Sequence, residues 1–405
     1  MFDSLYQDGL TVSITRVTRE SEAVRRAALI APTMLVRTGV ASGLVVLLIA
    51  ALFGSRVIEV PVTQARVSSD LSRSDFAAVS RFVFVPSRNA PLVTVIDQSS
   101  DQVVGKIDPG LVPDQIIVSD AARKLAAIDG ATTRLSLVDL SGGQPIIIDL
   151  DFIPQRVIAA VDGHLIAVAG LEAGKVAFIE LMRARIVSTV TGLSRIRDYM
   201  FGADGAFLYV AADALNGIGV VDVGRGKLIE DIHLPELRSA GVSGLTRAPS
   251  GRTGYVKSRN GGAQLVDLSN FRAIRAIDVP RGDTKVFPTG YGGYLIVPDN
   301  GERRVTVMAA GSLTVAAMLK GSSDMTTVYS GWFDTTILVP SKSDRRLLIY
   351  DLEHLVVAGD ISLPGRPVLG AVTADGAKFY LAMEDAASIG VFIPPVHGST
   401  AGTSG

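Results

Sequence analysis

The sequence predicts an all-β fold: a β-propeller of eight four-stranded blades, with seven as the alternative, preceded by one N-terminal transmembrane helix. Three observations lead there. Between Val93 and Ile393 a short apolar stretch closing on an acid or its stand-in recurs, at Asp97, Asp139, Glu180, Asp222, Asp267, Met308, Asp351 and Ile393. The intervals are 42, 41, 42, 45, 41, 43 and 42 residues, and a strand-built period in the low forties is that of propeller blades. The repeat claims nearly everything from about residue 60 to 395 of the 405-residue chain, which suits one closed ring better than several ordinary domains.

Residues 1–37 form a leader with five Arg against four acids and some helical promise from Glu20 to Ala31. Residues 38–54, TGVASGLVVLLIAALFG, run 17 residues without a charge, at the short end of what spans a hydrocarbon core. Arg25, Arg26 and Arg37 lie ahead of it, so the basic bias places the leader in the cytoplasm and the ring outside the inner membrane, in the bacterial periplasm. A cleaved signal peptide competes, since Thr63-Gln64-Ala65 loosely resembles a cleavage site, but the leader is long for that role. The Arg25-Arg26 pair is too far from the apolar run for a twin-arginine signal.

The propeller is expected over 56–395. Arg56 to Arg66, RVIEVPVTQAR, reads as a strand, available to complete the last unit, which ends near Ile393 without an outer strand of its own. Within each unit a turn precedes an apolar strand, as at Asp162-Gly163, Asp204-Gly205, Ser250-Gly251 and Asp375-Gly376, residues that tolerate positive φ. The strands that follow, such as AFLYVAA from Ala206 and KFYLAM from Lys378, are nearly continuous apolar runs, as burial on both faces demands. The recurring acids are expected to cap the turn after their strand. Residues 396–405, rich in Gly, Ser and Thr, read as a disordered tail.

Two passages, GADGAFLYVAADALNGIGVVDVGRGKLIEDIHLP from Gly202 and TADGAKFYLAMEDAASIGVFIP from Thr373, resemble the bacterial YVTN-type propeller repeat. That repeat has a Pro-Asp-Gly turn, a Leu-Tyr-Val-Ala strand and a Val-x-Val-Ile-Asp strand; NAPLVTVIDQSSDQVVGKIDPG from Asn89 resembles its second half. Ala203 and Ala374 stand where the repeat has Pro. The resemblance implies a propeller of a family with surface-layer and periplasmic binding proteins. Similar propellers occur in quinoprotein amine dehydrogenases and in the haem d1 domain of nitrite reductase. Fold does not choose among these functions.

Lys and Arg number 39 against 40 Asp and Glu, which argues against nucleic acid as a partner. The chain has no Cys, so disulfides, thiolate metal sites and thioether-bound haem are excluded. His164, His233, His354 and His397 fall at unrelated places in the repeat, so no metal or cofactor is expected, and no Gly-x-Ser-x-Gly nucleophile elbow occurs.

The candidate site is the mouth of the central channel. Asp114, Arg156, Asp198 and Lys285 share one register with alternating sign, and Arg197, Asp283, Asp324 and Arg366 lie near the corresponding places. Such a ring can hold a polar ligand or a partner's loop; the competing reading is a set of solvated, mutually paired charges. Arg303, Arg304, Lys342, Arg345 and Arg346, on equivalent hairpins of the sixth and seventh units, suggest a basic docking face or an ordinary solvated one. These features lead to the expectation of a membrane-anchored periplasmic propeller, a non-enzymatic scaffold for an envelope protein. The alternatives are a propeller subunit of a redox enzyme such as a quinoprotein dehydrogenase and, third, a channel-site hydrolase or lactonase.

Overall fold

The computed structural model describes residues 13–15, 76, 79–87, 90–234, 237, 241–331, 334–373, 376–384 and 388–393. They form eight sheets, one per blade, antiparallel apart from one parallel strand in blade eight, so the ring has eight blades and not seven. Blade four is representative. Its inner strand Ile196–Phe201 is followed outward by Phe207–Ala212, Gly217–Asp222 and Lys227–His233.

The middle strands are sealed on both faces. Lys124–Ile128 and Phe379–Met383 are buried at every residue. Their side chains alternate between two neighbours, and the buried residues sort into eight apolar layers, each shared by two adjacent blades. The layer between blades three and four, for instance, packs Phe178 and Val176 against Tyr199, Leu208 and Val210. The eighth layer closes the ring, packing Val83, Val85 and Ile96 of blade one against Tyr380, Ala382 and Val391 of blade eight.

Local signals hold where the sequence placed them. Asp97, Asp267 and Asp351 each accept backbone amides two and three residues on, capping their turns. Glu180 instead pairs with Arg183 and Arg185. The turns between inner and second strands use Gly163, Gly205, Gly251 and Gly376 at φ of 70, 70, 74 and 68°. A Cβ at Gly251 would also lie 2.6 Å from the Ala203 Cβ of the preceding blade's turn, so successive turns interlock. Outer strands carry a register shift at the same place in six blades, as at Val220/Val221 and Ile349/Tyr350. That bulge twists the exposed edge away from further pairing.

Closure departs from expectation. Among the described residues blade one has three strands, Phe82–Ser87, Leu92–Asp97 and Gln102–Ile107. The outer place of blade eight is taken by Ser13–Thr15, parallel to Ser388–Phe392, where Arg56 to Arg66 was expected. The sequence TVSIT from Thr11 to Thr15 is itself rich in β-branched residues, which suits a strand as well as the later segment does. Across the seam Lys378 reaches Asp101 at 2.8 Å, and the Tyr380 hydroxyl donates to the same carboxylate. Residues 38–54, 56–66 and the tail after Ile393 lie outside the described residues. Among the described residues no helix is long and apolar enough to cross a membrane.

Candidate functional site

Inner strands begin at one face of the ring, where the connections between blades also lie, and run along the channel to the opposite turns. The start of the blade-four strand brings Asp198 to the channel with 1% exposure. Its Oδ1 accepts from Arg156 at 2.7 Å, its Oδ2 from Lys285 at 2.6 Å, and the Leu245 amide adds a third bond at 2.7 Å. Four consecutive blades therefore converge on one carboxylate. A Cβ at Gly244 would fall 2.3 Å from the Lys285 Cγ, so glycine there lets the lysine stem pass. The Arg156 guanidinium also lies 5.7 Å over the Tyr199 ring, a cation–π contact. Burial pushes the Asp198 carboxyl up, but Lys285, Arg156 and the Leu245 amide reverse this and hold it below its ordinary range.

The sequence placed eight residues at or near this mouth, and the structure divides them. Arg156, Asp198 and Lys285 meet directly. Asp324 lines the same cavity and accepts from the Ser343 hydroxyl at 2.8 Å. Arg366 is 3.8 Å from Glu384, a lining residue also paired with Lys342 at 3.4 Å. Arg197 is turned away: a register shift between Ile196 and Asp198 makes it the extra residue of a bulge, and it forms a two-pronged pair with Asp213 at 2.6 and 2.8 Å. Asp114 does not line the cavity, and accepts from the Gly130 amide at 2.6 Å. Asp283 pairs with Arg259.

The basic hairpins come together on adjacent blades, with their charge largely matched. Arg304 pairs with Asp299 at 3.3 Å, Arg346 with Asp360 at 2.7 Å and Lys342 with Glu384. Arg303 and Arg345 occupy left-handed turn positions, both at φ of 51°. Between the hairpins, the Ser322 hydroxyl and the Ser323 amide, with Arg303 contributing, hold the Asp344 carboxyl down to about 2. Among the described residues no group of three or more His, Asp or Glu could hold a metal ion. Trp332 and His397 lie outside the described residues.

Below the mouth the channel opens into a cavity of about 950 Å³. Its lining includes residues the sequence did not single out, chiefly Arg247, Thr246 and Glu384. A signal for Arg247 existed: it stands four residues before the turn glycine Gly251, where other units have Ala159, Phe201, Pro288 and Val372. Behind the mouth Lys257 is fully buried, its ammonium donating to the carbonyls of Gly282 and Ser258 at 2.8 and 3.3 Å. It ties down the connection that leads to Lys285. Burial pushes the Lys257 ammonium down to about 8, with Asp283 and Asp299 opposing.

No family model matches this chain, and no curated protein does, so the YVTN likeness remains a resemblance in sequence grammar. Solved structures do match in fold. A dihydro-heme d1 dehydrogenase, NirN, in complex with DHE aligns at a TM-score of 0.62 and 12% identity, over 79% of this chain and 70% of that one. Hydrazine synthase of Kuenenia stuttgartiensis aligns at a TM-score of 0.47 and 17% identity, over 58% of this chain and 75% of that one. The chain is thus a β-propeller protein, and at such identities the likeness to NirN is one of fold alone.

Two predictions follow from the charges at the mouth. Asp198→Ala leaves two cations facing each other and is expected to cost about 3–5 kcal/mol, read by chemical denaturation. Because the folded carboxyl lies below its ordinary value of 3.8, its stabilisation is complete above that value and is lost as pH falls through the folded one; Asp198→Asn flattens this acid limb. Lys257 acts at the other end of the scale. Its ammonium sheds its proton near pH 8 when folded and near 10.5 when unfolded, so the unfolded state holds the extra proton between them. Stability should rise with pH from about 8 towards 10, and Lys257→Met should remove that rise.

Proposed function

We propose that this chain is a non-enzymatic binding subunit of a bacterial envelope complex, held at the inner membrane by residues 38–54 with its propeller in the periplasm and its leader in the cytoplasm. The partner is a protein that docks at the channel mouth. The observation that carries this reading is the state of Asp198. An ionised carboxylate locked between Arg156 and Lys285 neither gives nor takes a proton near neutral pH, so the mouth recognises and does not react. Arg366 and Lys342 on Glu384 are likewise held in place, and fixed charges of both signs favour one oriented partner. Tethering supports the reading, since it raises the effective concentration of a partner in the same membrane. A second reading, a non-catalytic propeller subunit of a periplasmic redox enzyme such as a quinoprotein dehydrogenase, draws on the fold likeness to NirN.

A single crossing by 38–54 and the pairing of Ser13–Thr15 with blade eight exclude each other, because they put the leader on opposite sides of the membrane. In the anchored protein the outer edge of blade eight is therefore free of Ser13–Thr15, and Arg56 to Arg66 is the segment available to cover it.

The chain has no native cysteine, so Ser4→Cys is a clean reporter. In intact spheroplasts it should resist a membrane-impermeant maleimide and react once the membrane is opened; reaction in intact spheroplasts overturns the anchored topology. Full-length protein captured from its native membrane in mild detergent should retain a stoichiometric envelope protein, and Lys342→Glu with Arg366→Glu should lose it. A retained dehydrogenase or cytochrome selects the second reading, and retention unaffected by both substitutions moves the docking surface away from the mouth.

A further inference from the structure

The cavity beneath the mouth has a charge distribution that the docking reading does not use. Its cations near the mouth each have a carboxylate partner: Arg156 and Lys285 share Asp198, and Lys342 and Arg366 share Glu384. Arg247 differs. It lies two residues further along its strand than Leu245, whose amide bonds Asp198, and so about 6–7 Å deeper in the channel. Its partners among the described residues are the carbonyl oxygens of Phe201 and Gly202, at 3.0 and 2.8 Å. These orient the guanidinium without neutralising it, and burial pushes its proton affinity down. The surrounding wall is apolar, with Ile158, Phe201, Phe287 and Val328.

We propose that this inner chamber binds a small monocarboxylic acid with an apolar body, its carboxylate on Arg247 and its body along Phe287 and Val328. An unneutralised planar guanidinium is the donor that matches a carboxylate's two oxygens. One cation without a carboxylate partner suits one carboxylate; a phosphate dianion finds no second such cation in the lining. A cavity of about 950 Å³ accommodates a drug-sized organic molecule. Arg247 lies deeper in the cavity that the docking residues Lys342 and Glu384 also line, and its loss is read by acid binding where theirs is read by partner capture.

Calorimetric titration of the full-length protein in detergent tests the site, using naphthalene-2-carboxylate, decanoate and the neutral naphthalene-2-carboxamide as probes. At least one acid should bind saturably at one site per chain, and the amide should bind naphthalene-shaped space at least about tenfold more weakly than its acid. Arg247→Gln should remove that preference by weakening the acid about tenfold or more while leaving the amide unchanged. Arg247→Lys, which keeps the charge and loses the planar fork, should weaken the acid several-fold, and it keeps the test open if Arg247→Gln does not fold. Lys227→Ala, on the exposed outer strand of blade four, should leave acid binding intact. Equal affinity for acid and amide, an unchanged Arg247→Gln, or no saturable binding of either acid overturns the proposal.

Discussion

Each blade's middle strands are buried on both faces, so no blade can hide its apolar surface without a neighbour on either side. That constraint governs the rest of the molecule. Seven of the apolar layers join blades that are consecutive in the chain, and the eighth must join the first blade to the last. At the seam that layer is reinforced by Lys378 and Tyr380 converging on Asp101. A ring built this way is stiff because removing one layer exposes two faces. Its outer strands, which carry the recurrent bulge, are the surfaces it leaves to solvent.

Stiffness of the ring has electrostatic consequences at its centre. Inner strands are fixed by the layers behind them, so charges at their starts are held at set separations before any ligand arrives. Asp198 is buried with two cations and an amide donor, an arrangement that satisfies a buried carboxylate but removes it from proton chemistry near neutral pH. The same fixed frame leaves Arg247 on neutral carbonyls. Mouth and chamber therefore differ in kind: the mouth cations named here each face a carboxylate, while Arg247 has only carbonyl partners among the described residues.

Much of the fold was legible because its signals are short in range. The capping acids, the turn glycines and the apolar middle strands act within a few residues, and they recur where the period says. The site was legible only in part. Arg156, Asp198 and Lys285 share a register and do meet, yet Arg197, adjacent to Asp198, is turned to Asp213 by a bulge that no pattern in the sequence marks. Side chains alternate along a strand, so a one-residue slip sends a charge elsewhere. Arg247 was readable in principle as a charge in a register that is otherwise apolar. Ser13–Thr15 was not, because its β-branched residues carry no information about which distant edge they pair with.

The sequence by itself determined the repeat, the propeller class and the turn chemistry, since each is written in residues near one another along the chain; the structure chose eight blades over seven. Only the tertiary structure decided which charges become partners. Arg156 and Asp198 are 42 residues apart, the Leu245 amide and Asp198 are 47, and Lys378 and Asp101 are 277. Such contacts exist because blades stack side by side and the ring closes on itself. Their geometry depends on bulges and packing offsets of a single residue, which a period in the low forties does not encode.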